Sequence, residues 1–341
     1  MTARCARRLG AAVALAALVL AACGEPAERD VAPTTTSTTT TPATTTPATT
    51  TPATTTPVTT APDGGAISPA DVSTIGGAAA GGTAAARVDP PPPTTCERIA
   101  AAVDGRRLGD ALDVQPEVQL EVQLEVQVVV HSATWSATTA VLQVATRTGD
   151  RWTCGPAMEA RLGRAGTRPL LERRSGDGTT PAGVFPLATM TAPDGSRFSF
   201  FGNAPDPGVT AGAYRRVQRG DCFGATPNTP GYGHLRFDTS CPGPDDEYLP
   251  RFVEAYTNAA LIGANMEPDV SGDEPGEIPY ASAIFLHRHS YVSSRSGPSG
   301  PTKPTAGCVS LAQTDLTAVL LAMTPDTVFT IGPTDWLLAE A

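Results

Sequence analysis

From Glu117 to Val130 apolar and polar residues alternate strictly, with Val118, Leu120, Val122, Leu124, Val126 and Val128 set against Glu and Gln. Period two predicts a long strand with one buried and one wet face. Near the other end the period changes. Leu316, Val319, Leu320 and Met323 fall at i, i+3, i+4 and i+7, which predicts an amphipathic helix over 315–323. Thr94-x-x-Glu97 has the form of a capping box, and the apolar stretch Ile99 to Val103 stops at Gly105, so a brief helix is predicted there. Residues 138–147 and 151–153 flank Thr148-Gly149-Asp150, a hairpin signal. Short apolar runs at 183–187, 198–201, 259–263, 282–287 and 327–331 lie between Gly, Pro and Asp clusters. The pattern predicts a mainly β domain with a few short helices over residues 94–341.

The first 93 residues follow no such pattern. Arg4, Arg7 and Arg8 precede an apolar run from Ala11 to Leu20, too short to span a bilayer and suited to the h-region of an export signal over residues 1–22. Leu20-Ala21-Ala22-Cys23-Gly24 resembles the lipobox of bacterial lipoproteins, which makes Cys23 a candidate lipidation site and membrane anchor; the alternative is an ordinary signal cleaved after Ala22. Either signal places the protein outside the cytoplasm. Residues 31–62 are almost entirely Thr, Pro and Ala, with Pro-Ala-Thr-Thr-Thr recurring at Pro42, Pro47 and Pro52, and 61–93 continue as Gly, Ala and Pro. Such a tract has no apolar surface to offset the entropy of ordering, so residues 23–93 are expected to be a disordered stalk. A stalk above a lipid anchor points to a target in the cell wall.

Charge and cysteine count narrow the chemistry. Without Arg4, Arg7 and Arg8 the chain keeps 21 basic residues against 34 acidic ones, a net charge of −13, which argues against nucleic acid as a partner. Residues 176–183 lack the Gly-Lys-Ser/Thr of a phosphate-binding loop, Gly163-Arg164-Ala165-Gly166 lacks dinucleotide spacing, and no cofactor is implied. Of seven cysteines, Cys5 leaves with the signal and Cys23 is assigned to lipid. Cys96, Cys154, Cys222, Cys241 and Cys308 remain, and an odd number in an oxidising compartment leaves one thiol over. Spacing favours Cys96 with Cys154 and Cys222 with Cys241, although four cysteines allow three connectivities.

Cys308 has the best surroundings for reactivity. Gly307 before it permits a tight turn and close approach of a substrate, and a helix start just beyond would lower the thiol pKa through its dipole. The bland alternative is half of a disulfide. A base must come from His131, His234, His287 or His289. His287 ends the apolar run 282–287, 21 residues before Cys308, and the Ser, Gly and Pro-rich segment between them can loop back; His289 is its rival on the same strand face. A metal site built on His287 and His289 with His234 or Asp238 is the competing chemistry, with no recognisable spacing for a third ligand.

Ala283-Ile284-Phe285-Leu286-His287, Pro304-Thr305-Ala306-Gly307-Cys308-Val309-Ser310 and Gly176 to Pro186 together carry a resemblance. From about Val128 to Pro333 the chain resembles the L,D-transpeptidase catalytic domain (YkuD-like), closest to an actinobacterial branch. That family has a strand ending in His, a loop, then Ser-His-Gly-Cys-Ile/Val-Arg. The resemblance implies a β-sandwich or mixed sheet, Cys308 as nucleophile, His287 as general base and then acid, and backbone N–H groups of Gly307 and Cys308 as oxyanion donors. It implies that a backbone carbonyl orients the imidazole, and that peptidoglycan stem peptides are the substrate, with Thr305, Ser310 and Lys303 at its binding surface. Three departures stand out: Thr305-Ala306 replaces Ser-His, Ser310 replaces Arg, and His287 is not followed by the family's Gly-Ser/Thr. Lys303 and Arg288 are candidates for the missing cation. A non-catalytic wall-binding lipoprotein with a degenerate transpeptidase fold is the alternative.

Overall fold

The computed structural model describes residues 91–104, 124–292 and 300–339. The export signal over 1–22, Cys23, the stalk as far as residue 90 and the alternating residues 117–123 lie outside the described residues. In chain order the elements are α1 (Thr95–Asp104), β1 (Val126–Ser132), β2 (Thr139–Thr148), β3 (Arg151–Cys154), β4 (Met158–Arg161), β5 (Thr167–Pro169), β6 (Thr180–Pro186), β7 (Met190–Thr191), β8 (Arg197–Phe198), β9 (Phe200–Gly202), β10 (Tyr214–Arg216), β11 (Asp221–Phe223), β12 (Leu235–Phe237), β13 (Glu247–Tyr248), β14 (Ala259–Leu261), β15 (Phe285–Arg288), β16 (Val309–Leu311), α2 (Gln313–Ala322), β17 (Val328–Pro333) and α3 (Thr334–Ala339). The described domain is mainly β, as the alternating pattern predicted.

Twelve strands form one mixed sheet in the order β10-β9-β14-β15-β16-β4-β2-β1-β17-β6-β5, with β3 paired to β2. The sheet curls onto itself. Leu187 bridges Ile262, the Ala188 N–H donates to the Leu261 carbonyl at 3.1 Å, and the Gly263 N–H donates to the Pro186 carbonyl at 2.9 Å, so the end of β6 meets the end of β14. Inside the curl, Val128, Leu142 and Phe329 from one half share a core with Phe200, Leu286 and Val309 from the other. Helix α2 adds Leu316, Val319, Leu320 and Met323 to that core, the same four residues whose spacing predicted the helix.

The first strand differs from expectation. Val126 to Val130 are all buried, so β1 has no wet face. Val128 and Val130 point into the curl, while Val129 packs outward under α1 and α3. Gln127 shares that outer side and stays satisfied: its Nε2 donates to the Ala100 carbonyl at 2.9 Å and its Oε1 accepts from Thr330 Oγ1 at 3.2 Å. A second layer over the sheet explains the burial, and a two-residue period cannot report one.

Local signals formed as predicted. Thr94 N–H donates to Glu97 Oε2 at 2.7 Å and Glu97 N–H to Thr94 Oγ1 at 3.3 Å, a complete capping box that starts α1. Thr148 pairs with Arg151 across Gly149-Asp150, and Gly149 takes φ +59° to make that two-residue turn. Cys96 is bonded to Cys154 and Cys222 to Cys241, while Cys308 lies outside both bridges. The outer face therefore carries two separate covers. Helices α1 and α3 bury Ile99, Val129 and Leu337 at one end, and the β12-β11-β13 sheet with its loops buries Phe201, Phe223, Tyr256 and Phe285 at the other.

The Cys96–Cys154 bridge closes a loop of 58 residues and ties α1 to β3. Replacing both cysteines by Ala should lower unfolding stability by about 4 kcal/mol through the entropy returned to the unfolded chain. Urea denaturation measures this, and a loss below about 1 kcal/mol would show that α1 is held by packing alone.

Candidate active site

The site is built by two short parallel strands. In β15 and β16, Leu286 stands opposite Val309 and His287 opposite Ser310. Successive side chains of a strand alternate in direction, so Leu286 and Val309 enter the inner core while Phe285, His287, Cys308 and Ser310 share the outer face. Cys308 is one step before Val309. It therefore lies diagonally from His287 across the strand pair, about 8 Å between Cα atoms from strand spacing and rise.

The thiol sits in a shaped turn. Gly307 takes φ +154°, and a Cβ there would run into the Arg173 guanidinium and stand 3.0 Å from the Thr179 carbonyl. Thr305 Oγ1 accepts from the Gly307 N–H at 3.1 Å and donates to the Cys308 carbonyl at 2.6 Å, which also accepts from Thr180 Oγ1 at 3.3 Å. Cys308 is fully buried, and its Sγ donates to the Ala283 carbonyl at 3.1 Å. Ala283 itself has φ +55°, a left-handed conformation that costs a non-glycine residue roughly 1 kcal/mol and turns its carbonyl onto the thiol.

One expectation needs correction here. Cys308 leads into strand β16, and α2 starts only at Gln313. A helix dipole acts within the first turn, so the helix does not activate this thiol. The three-residue strand between them is too short to leave a period in the sequence.

His287 lies beside Tyr256, with ring centroids 5.6 Å apart, and is 4 % exposed. Its Nδ1 is 2.6 Å from the Arg288 carbonyl. A carbonyl only accepts, so Nδ1 carries the proton and Nε2 keeps its lone pair. Buried Nε2 has no hydrogen-bond partner among the described residues. Burial pushes the His287 pKa down to about 4, with the Arg288 carbonyl pulling upward and His289 nearby pushing further down. His289 is also held near 4, chiefly by burial and then by the Arg161 cation, and its Nδ1 lies 2.9 Å from Ser310 Oγ.

The remaining expected residues fall as follows. Ser310 is fully buried against His289, so its hydroxyl orients that ring and faces no substrate surface. Thr305 shapes the turn, and the Gly307 N–H is already used by it. Lys303 is half-buried on the segment before the turn, its backbone N–H donating to the Ser290 carbonyl at 2.8 Å. Arg288 places its guanidinium over the Tyr291 ring at 5.9 Å. The cation nearest the turn is Arg173, 3 % exposed, whose Nε donates to the Thr179 carbonyl at 2.6 Å and which pairs with Asp177 at 3.8 Å. No sequence signal marked it, since it follows a short turn and precedes a Ser-Gly-Asp-Gly loop. Thr180 lies in the Gly176 to Pro186 stretch already singled out.

A metal centre does not assemble. His234 is engaged by Glu267 at 2.9 Å and Asp273 at 3.9 Å, and Asp238 faces Arg236 at 3.6 Å, so neither joins His287 and His289. Among the described residues the one group of three whose ligand atoms all lie within 4.8 Å of one another is Cys222, Cys241 and Asp246, and its two sulfurs are bonded to each other. The chain matches no family model, no curated protein and no solved structure, so the chemistry rests on these residues themselves.

Two outcomes follow. The unfolded imidazole, near 6.5, binds a proton between pH 6.5 and 4 that the folded His287 refuses, so the neutral ring's contribution is full above 6.5 and lost as the pH falls through about 4. Unfolding free energy should drop across that window by on the order of 3 kcal/mol for His287, and a His287→Gln variant should show a flatter pH profile. Thr305→Val removes the hydroxyl from both the Gly307 N–H and the Cys308 carbonyl and should cost roughly 1–3 kcal/mol in thermal or urea unfolding.

Proposed function

We propose that this protein is an exported cysteine acyltransferase of the L,D-transpeptidase kind, acting on peptidoglycan stem peptides. The observation that carries the proposal is the division of labour in His287: Nδ1 is committed to the Arg288 carbonyl, while Nε2 is an unprotonated acceptor on the sheet face that also holds Cys308. An unprotonated Nε2 on a ring oriented by a carbonyl supports the role of a thiol's base, and the thiol now donates to the Ala283 carbonyl instead. It also matches the orientation expected from the resemblance.

In this reading Nε2 takes the Sγ proton, and the thiolate attacks the carbonyl between the L-centre of a diamino acid and a terminal D-Ala. The bond to D-Ala breaks, and the imidazolium returns its proton to the leaving amine. The thioester then passes to a neighbouring stem's side-chain amine, giving a cross-link, or to water, giving carboxypeptidase activity. The Cys308 N–H would serve the oxyanion, with the Gly307 N–H joining only if Thr305 releases it. The two disulfides belong to an oxidising compartment, which supports a location outside the cytoplasm, and Cys23 would supply the lipid anchor at the membrane face.

A second reading, a wall-binding lipoprotein without catalysis, is favoured by one observation: the thiol is fully buried and donates to the Ala283 carbonyl. One experiment separates them. A thiol-directed β-lactam should add a single mass increment to the purified protein, absent in Cys308→Ser, and a stem tetrapeptide should lose D-Ala. A folded wild type that takes no label and leaves the tetrapeptide intact would refute the enzyme and keep the binding protein.

A further inference from the structure

His131, Val141 and Glu159 stand in register across β1, β2 and β4, and Gly332 of β17 pairs with His131 on its other side, so one row of four positions crosses the outer face of the sheet. Thr139 and Arg161, paired two residues further along β2 and β4, project on the same side. Along these residues runs a groove of about 630 Å3, which Ser132 and Thr334 also line. An aromatic pair stands at the β17 end of the row. A Cβ at Gly332 would lie 2.8 Å from Trp336 Cε3, so the Trp336 indole covers that position, and Trp135 packs on it with ring centroids 5.4 Å apart and planes tilted by 59°. Trp135 lies in the turn between β1 and β2 and is 39 % exposed. Its turn is pinned: the Trp135 carbonyl accepts from the Thr167 N–H at 2.7 Å, and a Cβ on Gly166 would strike that carbonyl.

The groove offers hydrogen-bond donors and acceptors together, with its charges answered in place. Thr334 Oγ1 donates to the Ser132 carbonyl at 3.1 Å, so the 3.0 Å contact with His131 Nδ1 is one in which the ring donates. Nε2 of His131 is then an acceptor, and burial holds this ring's pKa below its ordinary value, keeping it neutral near pH 7. Thr139 is exposed, and a hydroxyl both donates and accepts. The Glu159 carboxylate is 69 % exposed and lies 3.7 Å from Arg161, whose Nε donates to Thr302 Oγ1 at 2.6 Å. The ion pair offsets the charge of Glu159 while leaving its oxygens able to accept. A ligand ion of either sign gains little against such a pair, and a fully apolar ligand would strip water from Glu159 and Thr139 without replacing it. A pyranose ring meets both demands. Its rim carries hydroxyls, and the C–H groups of its face carry slight positive charge that suits the negative face of an indole.

We propose that this groove binds a neutral oligosaccharide, with one pyranose face against the Trp135 and Trp336 pair and the hydroxyls of the rings beyond it hydrogen-bonded to His131, Thr139 and Glu159. The row spans about 14 Å, three strand spacings, which accommodates a short run of sugars. The same face continues through Arg161, paired with Ser310, to His287, so a glycan held here lies on the surface of the sheet that also carries the thiol. Sugar binding is separate from the stem-peptide chemistry and stands with or without acyl transfer.

The test is titration of the purified protein with chitotetraose and with cellotetraose, followed by calorimetry and tryptophan fluorescence. Saturable binding of one or both is expected, with a shift in tryptophan emission, and the difference between the two tells whether acetamido groups are read. Trp135→Ala should weaken binding about tenfold and Trp135→Tyr should restore most of it, because the tyrosine keeps an aromatic face. Thr139→Val should weaken binding about threefold through the lost hydroxyl. Both positions are exposed, so these variants keep the fold. Flat titrations with both tetramers, or binding unmoved by both Trp135→Ala and Thr139→Val, would overturn the site. So would saturable binding of a peptide copying residues 42–56, the chain's own Pro-Ala-Thr-Thr-Thr repeat, with no response to either sugar. Cys308→Ser should bind the sugars as the wild type does. If sugar binds and the wild type takes no β-lactam label, the groove stands and the acyl-transfer reading falls; if labelling succeeds and both sugar titrations are flat, the groove alone falls.

Discussion

Everything at the site depends on the parallel pairing of two very short strands. Leu286 opposite Val309 fills the inner core on one side of the pair, and that packing fixes which way the neighbours point. A slip of one residue would send Cys308 or His287 into the curl and Leu286 or Val309 outward, because the side-chain period is two. The inner core thus positions the chemistry without touching it. Parallel strands need a crossover, and here β15 and β16 are joined through the Ser, Gly and Pro-rich sequence between Arg288 and Val309.

The cover over these residues decides what they can do. Tyr256 and Phe285 hold His287 in a dry setting, and that burial pushes the imidazole pKa down to about 4. The Cys308 thiol donates instead to the Ala283 carbonyl. For the proposed acyl transfer, the thiol would have to leave the Ala283 carbonyl and turn toward the imidazole.

Several parts of this arrangement were legible in the sequence because they are local. The capping box of Thr94 and Glu97, the turn at Gly149, the apolar stripe of α2 and the cysteine parity each depend on residues near one another in sequence or on simple counting. The misses are non-local. Both faces of β1 are buried because α1 and α3 lie over one of them, and the alternation of Val with Gln looks the same with or without that layer. Ser310 reads as a surface polar residue after the thiol, yet it is turned inward to His289. Arg173 reaches Gly307 from 134 positions away, and Ala283 adopts a conformation that its side chain disfavours, so neither leaves a local trace.

The departures from the family pattern acquire physical content at the same point. Where Ser-His would precede the glycine, Thr305 bridges the turn with one hydroxyl, tying Gly307 to the Cys308 carbonyl. Where an arginine would follow the motif, Ser310 is too short to reach past the sheet, and the nearest guanidinium comes instead from Arg173, on the far side of Gly307. Arg173 is 3 % exposed and anchored to the Thr179 carbonyl, so its guanidinium closes the turn at Gly307 and fixes the backbone that leads into Cys308.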